Sequence, residues 1–234
     1  MRAEGSDRNK VAQQVPEPAL RIADHVAGRV GRGLPDGPSE PYLCHTLCEL
    51  GAEPLSQELG VIRRSLEQHP GDVFVVIVED YVPPTAIETA FADSGLTRYV
   101  ATLHRDRQLP TLGDLIASGR RLIVFAEEEG GSPSWYMPAF SFIQDTPLDA
   151  VRASQLSCER NRGENDSPLL LVNHWIPPFP PSPEANAAIG RAGFLRTRVE
   201  RCLRERAFEG AIVAVDFYDR TSVVEVARNL NARR

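Results

Sequence analysis

Five short apolar runs recur along the chain, separated by segments of helical periodicity. Most of these runs are apolar at consecutive positions, which is typical of strands buried on both faces. Alternation of such strands with helices predicts an α/β fold around a parallel sheet. The runs lie at Tyr42–Cys44, Val73–Val78, Leu122–Ala126, Leu169–Val172 and Ala211–Val215, with a weaker sixth at Tyr99–Leu103.

Helix signals fill the gaps between the runs. Thr85 and Ser222 each stand three residues before a glutamate, which predicts a capping box. The predicted helix starts are Pro54, Thr85, Thr111 and Ser222. An apolar stripe from Ala185 to Leu203 predicts one long helix, whereas the stretch from Glu127 to Pro168 has no clear periodicity and reads as a long loop.

The first 41 residues are rich in proline and glycine. They predict turns and loose chain, with one short helix near Leu20–Ala27. We therefore expect a loose N-terminal tail over residues 1–41 and a folded domain over residues 42–234.

Charge and hydropathy exclude two classes of partner. With 26 basic and 32 acidic residues the net charge is −6, so the positive field that nucleic-acid binders use is absent. No stretch approaches the roughly 18 consecutive apolar residues that a transmembrane helix needs. Residues 1–15 lack the apolar core of a signal peptide, so the chain as written carries no export signal and is cytoplasmic by default.

Polar side chains end all five main apolar runs. The carboxyl ends of parallel strands meet at one edge, so these groups are expected to converge there. A solvated or helix-capping role explains any one of them, but recurrence after five strands favours a site. The residues are His45, Glu79, Asp80, Glu127, Glu128, Asn173, His174 and Asp216.

These residue types suit two chemistries. A histidine donates or accepts a proton near neutral pH, and a neighbouring carboxylate fixes its tautomer. A pair of carboxylates also offers oxygen ligands to a hard divalent cation such as calcium. The other histidines, His25, His69 and His104, fall in predicted loops or the tail and are interpreted as surface residues.

Four cysteines allow two disulfides with three pairings. Cys44 and Cys48 flank a histidine in a spacing that is neither a haem attachment nor a complete zinc site. We interpret them as small buried residues or as one disulfide, which leaves Cys158 and Cys202 as the other candidate pair.

Six strings in the chain carry a family resemblance. They are YLCHTLCELG at 42–51, VFVVIVEDYV at 73–82, LPTLGDLIASGRRLIVFAE at 109–127, CERNRG at 158–163, LLLVNHW at 169–175 and AVDFY at 214–218. Together and in this order, they resemble the PLC-like phosphodiesterases, the superfamily of phosphatidylinositol-specific phospholipase C X-domains.

The resemblance implies a TIM-type (β/α) barrel and cleavage of a phospholipid or glycerophosphodiester by histidine acid–base catalysis. It also implies a phosphodiester head group as partner, peripheral contact with a membrane, and calcium or an arginine to neutralise the developing charge. Carried over to this chain, His45 matches the second catalytic histidine, Asp216 a carboxylate that supports a histidine, and Glu79 a metal ligand. The residues expected to contact the head group are Asn173, His174, Trp175 and Tyr218.

The chain departs from the family pattern at its beginning. The first two barrel strands are missing, and with them the His-Asn-Ser segment that carries the first catalytic histidine. The barrel is therefore expected to be incomplete, through an incorrect start, a true truncation, or replacement of the missing wall by the N-terminal segment.

Two functions stay open. One is a phosphodiesterase that lacks half of its acid–base pair in this form, so that its activity stays open; the other is a non-catalytic remnant that binds a phosphorylated ligand or partner. Relatives are commonly exported, so the localisation of the whole protein stays open too. A different α/β hydrolase is disfavoured, because no serine lies in a G-x-S-x-G elbow.

Overall fold

A computed structural model describes residues 40–44, 52–128, 130–176 and 182–232. The chain divides into two compact units, Met1–Pro138 and Ala139–Arg234, called unit 1 and unit 2 below. Most of the predicted tail, together with His45 and Cys48, lies outside the described residues.

The described residues contain eight strands and seven α-helices. The strands are β1 (Tyr42–Leu43), β2 (Glu53–Pro54), β3 (Phe74–Val78), β4 (Leu122–Ala126), β5 (Tyr136–Pro138), β6 (Ile143–Asp145), β7 (Leu169–His174) and β8 (Ala211–Val215). The helices are α1 (Leu55–Gln68), α2 (Pro84–Asp93), α3 (Leu112–Ser118), α4 (Ala139–Phe142), α5 (Pro183–Ile189), α6 (Ala192–Arg206) and α7 (Val223–Asn231).

Unit 1 is built on a parallel sheet with strand order β3-β4-β5. The central strand β4 is buried at every position, as expected for a strand with neighbours on both sides and helices above it. Its residues pack with apolar side chains of α1 and α2, among them Leu59, Leu66 and Phe91. A separate antiparallel pair joins β1 to β2.

The helix starts of unit 1 follow local chemistry. At α3 the predicted cap is confirmed, because Thr111 Oγ1 accepts the Asp114 amide. The Asp114 carboxylate accepts the Thr111 hydroxyl and the Thr111 amide, and these two bonds, the hydroxyl bond first, lower the pKa of Asp114. The capping box expected at Thr85 is wrong. Pro84 takes the first helical position of α2 and Pro83 is the N-cap, so Thr85 already lies inside the helix.

Unit 2 is built on a second parallel sheet, with strand order β6-β7-β8. Leu170 and Val172 of β7 pack with Cys158 and Cys202 in one buried cluster. A disulfide joins these two cysteines across 44 residues and attaches the loop before β7 to α6. Cys44 is disulfide-bonded as well.

The long helix expected from Ala185 to Leu203 is two helices, α5 and α6. The break falls at Gly190, whose Cα lies so close to Thr221 that an added Cβ would be 2.5 Å from its methyl group. The Gly190 carbonyl also accepts the Ser222 amide at the start of α7. Ser222 is the N-cap of α7, as expected, but its side chain makes no cap hydrogen bond.

The expected TIM-type barrel is wrong, because the described residues form no closed barrel. Such a barrel needs eight strands in one continuous ladder. Here the described strands belong to sheets of two, three and three strands, and β1, β2, β5 and β6 have only two or three residues each. The weaker strand expected at Tyr99–Leu103 reduces to one isolated bridge, Val100 to Leu122. The α/β class itself fits the structure.

The helices of the described part are all too short or too polar to cross a membrane.

Candidate functional site

The strand ends of unit 1 bring four carboxylates to one sheet edge. Val78 pairs with Ala126, so Glu79 and Asp80 follow β3 where Glu127 and Glu128 follow β4. Asp80 is buried and its Oδ1 accepts the Glu128 amide at 2.9 Å. This carboxylate therefore braces the turn after β4.

Glu79 lies at the surface and is engaged by a neighbour. The hydroxyl of Tyr81 donates to Glu79 Oε1 at 2.5 Å, and this bond, with burial and the nearby carboxylates, raises the pKa of Tyr81 to about 12. Among the described residues, no group of three or more His, Cys, Asp or Glu is arranged to hold a metal ion. The role of Glu79 as a metal ligand, and with it the expected calcium ion, stays a prediction.

Unit 2 has a different arrangement at its strand ends, centred on Asp145. This last residue of β6 is fully buried. Its Oδ1 accepts the Arg162 amide at 2.7 Å, and its Oδ2 accepts Arg162 Nε at 2.9 Å and Nη2 at 2.6 Å. A buried charge needs such a partner, so the ion pair fixes the Arg162 loop on β6.

The Arg162 side chain also packs against an aromatic ring. Its guanidinium lies 4.2 Å from the centre of the Phe140 ring, and 35% of the side chain stays exposed. Gly163 follows with φ of +93°, and an added Cβ would lie 2.2 Å from the Ile143 carbonyl oxygen. Only glycine allows the chain to pass β6 this closely after Arg162.

Asn173 on β7 completes the cluster. Its side-chain Nδ2 donates to Asp145 Oδ2 at 3.2 Å and to the Thr146 carbonyl at 2.6 Å, while its amide donates to Thr146 Oγ1 at 3.0 Å. Asn173 is 2% exposed. The carboxylate, the guanidinium and the amide therefore form one connected group, called the Asp145 cluster below.

His174 lies on the opposite face of β7, since side chains alternate along a strand. Its ring is 5.9 Å from that of Phe194, Nε2 lies 3.1 Å from the Ile189 carbonyl oxygen, and Nδ1 is buried without a partner in the described part. Burial, helped by the charge of Arg198, lowers the pKa of His174 to about 4. This histidine is neutral and packed against helices at pH 7.

The remaining predicted site residues of the described part follow the ends of β7 and β8, whose residues His174 and Val215 pair. Trp175 is half-buried after β7, and Asp216 is half-buried after β8. Phe217 has φ of +52°, a left-handed conformation that is rare for a non-glycine residue, and it leads to the exposed Tyr218. His45 lies outside the described residues.

The PI-PLC X family model matches residues 38–231 of the chain, well over half of its length. The chain belongs to the PI-PLC X family. No solved structure gives a significant match to it.

Two curated relatives carry the same domain name. The chain is 27% identical over 210 residues to PI-PLC X domain-containing protein 1 of Arthroderma benhamiae, covering 81% of this chain and 68% of that protein. It is 27% identical over 210 residues to a PI-PLC X domain-containing protein of Arabidopsis thaliana, of which it covers 49%. An uncharacterized secreted protein of Arthroderma benhamiae is 28% identical over 147 residues, 57% of this chain and 33% of that protein.

Sequence reasoning missed the centre of the unit 2 cluster in this PI-PLC X domain. Asp145 and Thr146 lie in the stretch without periodicity, because β6 has only three residues. Arg162 lies inside the CERNRG string, but the string alone assigns it no role. The one available signal was Gly163, since glycine is the usual residue where the backbone takes a positive φ or passes close to another group.

Proposed function

We propose that this PI-PLC X domain is a phosphoric diester hydrolase of the phospholipase C type, acting on a phospholipid or glycerophosphodiester. The observation that carries the proposal is the Asp145 cluster at the carboxyl ends of β6 and β7, in a chain of this family. The carboxyl ends of parallel strands are where α/β enzymes place their chemistry. A fixed guanidinium beside an amide suits a ligand with phosphate oxygens and hydroxyl groups.

The proposed reaction is an attack on phosphorus by a neighbouring hydroxyl of the substrate. A base takes the hydroxyl proton, the oxygen bonds to phosphorus, and the bond from phosphorus to the leaving oxygen breaks. His45 is the proposed acid that protonates the leaving oxygen, and Asp216 supports a histidine by fixing its tautomer. Asn173, Trp175 and Tyr218 contact the head group, while His174 supports the end of β7 from its helix-facing side.

Assays on two substrates distinguish a phospholipid in a membrane from a soluble phosphodiester as the target. The full chain is assayed on vesicles that contain phosphatidylinositol and on soluble glycerophosphoinositol, with calcium chloride and with EDTA in parallel. Turnover of vesicles alone identifies a phospholipid substrate, and turnover of both identifies the head group as sufficient. The calcium and EDTA arms test the predicted metal dependence.

His45→Ala tests the acid, and His104→Ala is the matched control because His104 is an exposed loop residue. We expect His45→Ala to lower kcat by about 10²–10⁴ and His104→Ala to leave it unchanged. Equal rates in the wild-type chain and His45→Ala would contradict the role of His45. Absence of turnover by the wild-type chain would contradict catalysis and leave binding without chemistry.

A further inference from the structure

A second cluster of charged side chains lies in unit 2, away from Asp145. Gln144 precedes Asp145 on β6, so its side chain points to the opposite face of the sheet. It lines a cavity of about 610 Å³ together with Arg160, from the loop before β7, and Arg206, at the end of α6. We propose that this cavity binds a soluble divalent oxyanion, such as a phosphate group, through the guanidinium groups of Arg160 and Arg206.

The Arg206 side chain is held in place by uncharged partners. Its Nη1 donates to the Cys158 carbonyl at 3.2 Å, and its Nη2 donates to Gln144 Oε1. Gln144 is 4% exposed, and its Nε2 donates to the carbonyls of Asn165 and Ser167, so its amide has a fixed orientation. A guanidinium that is already positioned in this way loses little entropy when an anion binds.

The charge of Arg206 has no carboxylate partner among the described residues. Of the five N–H groups of its guanidinium, the described residues accept two, which leaves three for a ligand. Burial, together with the like charge of Arg160, lowers the pKa of Arg206. An anion close to both guanidinium groups would offset their mutual repulsion.

Arg160 supplies the second guanidinium of the cavity. Its Nη1 donates to Asn165 Oδ1, an uncharged acceptor, and it forms no ion pair with a carboxylate in the described part of the chain. Its side chain is exposed, so a ligand reaches it directly from solvent. Guanidinium groups donate parallel hydrogen bonds to the oxygens of phosphate or sulfate, and two positive charges attract a divalent anion more strongly than a monovalent one.

Two carboxylates also line the cavity, and each has a partner of its own. Glu205 Oε1 lies 3.8 Å from Arg201 Nε, one turn earlier on α6, and Asp166 is engaged as well. These carboxylates and the net charge of −6 disfavour docking of the cavity onto an anionic membrane, which would bring many further negative charges close to them. The occupant that fits is therefore a small soluble anion.

NMR titration of the full chain with sodium phosphate, at constant ionic strength, tests the site. We expect the largest amide shifts at Ser167 and Ala207, which line the cavity, and smaller ones at Asn173. Sulfate should shift the same amides, whereas acetate, with one charge, should bind about tenfold more weakly. Shifts confined to Asn173, or equal affinities for acetate and sulfate, would overturn the inference.

Arg160→Gln removes one guanidinium from an exposed position. We expect it to weaken phosphate binding about tenfold, because hydrogen bonds to a charged group are lost. Arg204→Gln is the control for the change in net charge: Arg204 is exposed on the same helix as Arg206, but two residues earlier, and so faces nearly the opposite side of α6. Its affinity should change less than about twofold, since solvent and salt screen the distant charge. Equal losses in the two variants would overturn the inference.

Arg206→Lys tests the second guanidinium while the charge is kept. Lysine cannot donate to Cys158 and Gln144 and also present a fork to the anion, so phosphate affinity should again fall about tenfold. Wild-type affinity in a folded Arg206→Lys variant would contradict the role of the positioned guanidinium. If this variant does not fold, the comparison of Arg160→Gln with Arg204→Gln still decides the question.

A vesicle assay distinguishes a soluble ligand from a lipid head group. Sedimentation with vesicles that contain phosphatidic acid should be the same for the wild-type chain and Arg160→Gln. Vesicle binding that Arg160→Gln abolishes, in a chain that does not bind soluble phosphate, would overturn the inference. All of these measurements follow binding on the face of β6 opposite to Asp145, so their failure leaves the proposed phosphodiesterase activity untouched, and failure of that activity leaves this site untouched.

Discussion

The strand ends of the two units carry similar residues in opposite environments. In unit 1, Glu79 and Glu128 lie at the surface, and Tyr81, which binds Glu79, is 72% exposed. In unit 2, Asp145 and Asn173 are buried and bonded to each other. A loop attached by a disulfide crosses β6 in unit 2, and it supplies the arginine that a buried carboxylate requires. A carboxylate at a strand end is therefore exposed at Glu79 and Glu128 in unit 1, whereas Asp145 in unit 2 is buried and paired with an arginine.

The largest difference is expected between Asp145→Asn and Glu79→Gln. Both substitutions remove a charge with little change in volume. Removing the buried member of the Arg162 pair should lower the free energy of unfolding by about 3–5 kcal/mol, whereas the exposed Glu79 should change it by less than about 0.5 kcal/mol. Urea unfolding of the two variants measures the difference, and equal losses would refute the contrast between the units.

The buried His174 of unit 2 should make the stability of the chain depend on pH. Its pKa is about 4 in the folded chain against 6.5 in an unfolded one, so the unfolded state binds the extra proton between these values. The stability from neutral His174 is complete above pH 6.5 and falls by about 3 kcal/mol as the pH drops to 4.

His174→Gln should flatten this part of the stability curve, because glutamine does not titrate. Urea unfolding at several pH values between 4 and 7 provides the measurement. His104→Gln, at an exposed loop position, should keep the wild-type slope. If both variants keep it, His174 is not the titrating group.

Alanine substitutions of one glycine in each unit distinguish the cost of backbone strain from the cost of a steric clash. Gly131 and Gly163 have φ of +92° and +93°, but an added Cβ meets no atom within 4 Å at Gly131 and the Ile143 carbonyl oxygen at 2.2 Å at Gly163. Alanine at either position carries the strain of a positive φ, about 1 kcal/mol. Gly163→Ala should lose about 2 kcal/mol more, since the clash is with backbone. Thermal or urea unfolding gives the difference, and a difference near zero would remove the argument for a close approach at β6.

The smallest effect concerns Tyr81. Because the bond to Glu79 is the main cause of its raised pKa, Glu79→Gln should move the Tyr81 pKa from about 12 toward 10. NMR titration of the tyrosine rings follows this shift, with the exposed Tyr218 as an internal reference. A Tyr81 pKa that stays near 12 would show that burial, not Glu79, controls it.

The predictable part of the fold is the part with strong local signals. Strands β3, β4, β7 and β8 are long apolar runs, and α3 has a complete capping box, so the sequence identifies them. Strand β6 has three residues and ends in a polar pair, which is too short for any periodicity. Its role depends on partners 17 and 28 residues away, Arg162 and Asn173, and pairing at that separation is decided by the tertiary fold.

The family resemblance does not determine how the strands of this chain join into sheets. The matched strings identify the family, but they do not determine how many strands the described residues join in one ladder. Short strands such as β5 and β6 contribute few hydrogen bonds, and the described sheets stop at three strands.

Helix α6 also limits how the length of the neighbouring loop can change in evolution. Three of its arginines bind three consecutive carbonyls: Arg201 donates to Leu156, Arg198 to Ser157 and Arg206 to Cys158. One inserted residue within this tripeptide would move each carbonyl past its guanidinium and pull Cys158 away from Cys202. Insertions should instead be tolerated around the exposed residues Leu148 and Asp149, whose carbonyls accept no arginine side chain from the described residues. Natural sequences of this domain should therefore differ in loop length before residue 156 and keep the length of residues 156–158 constant.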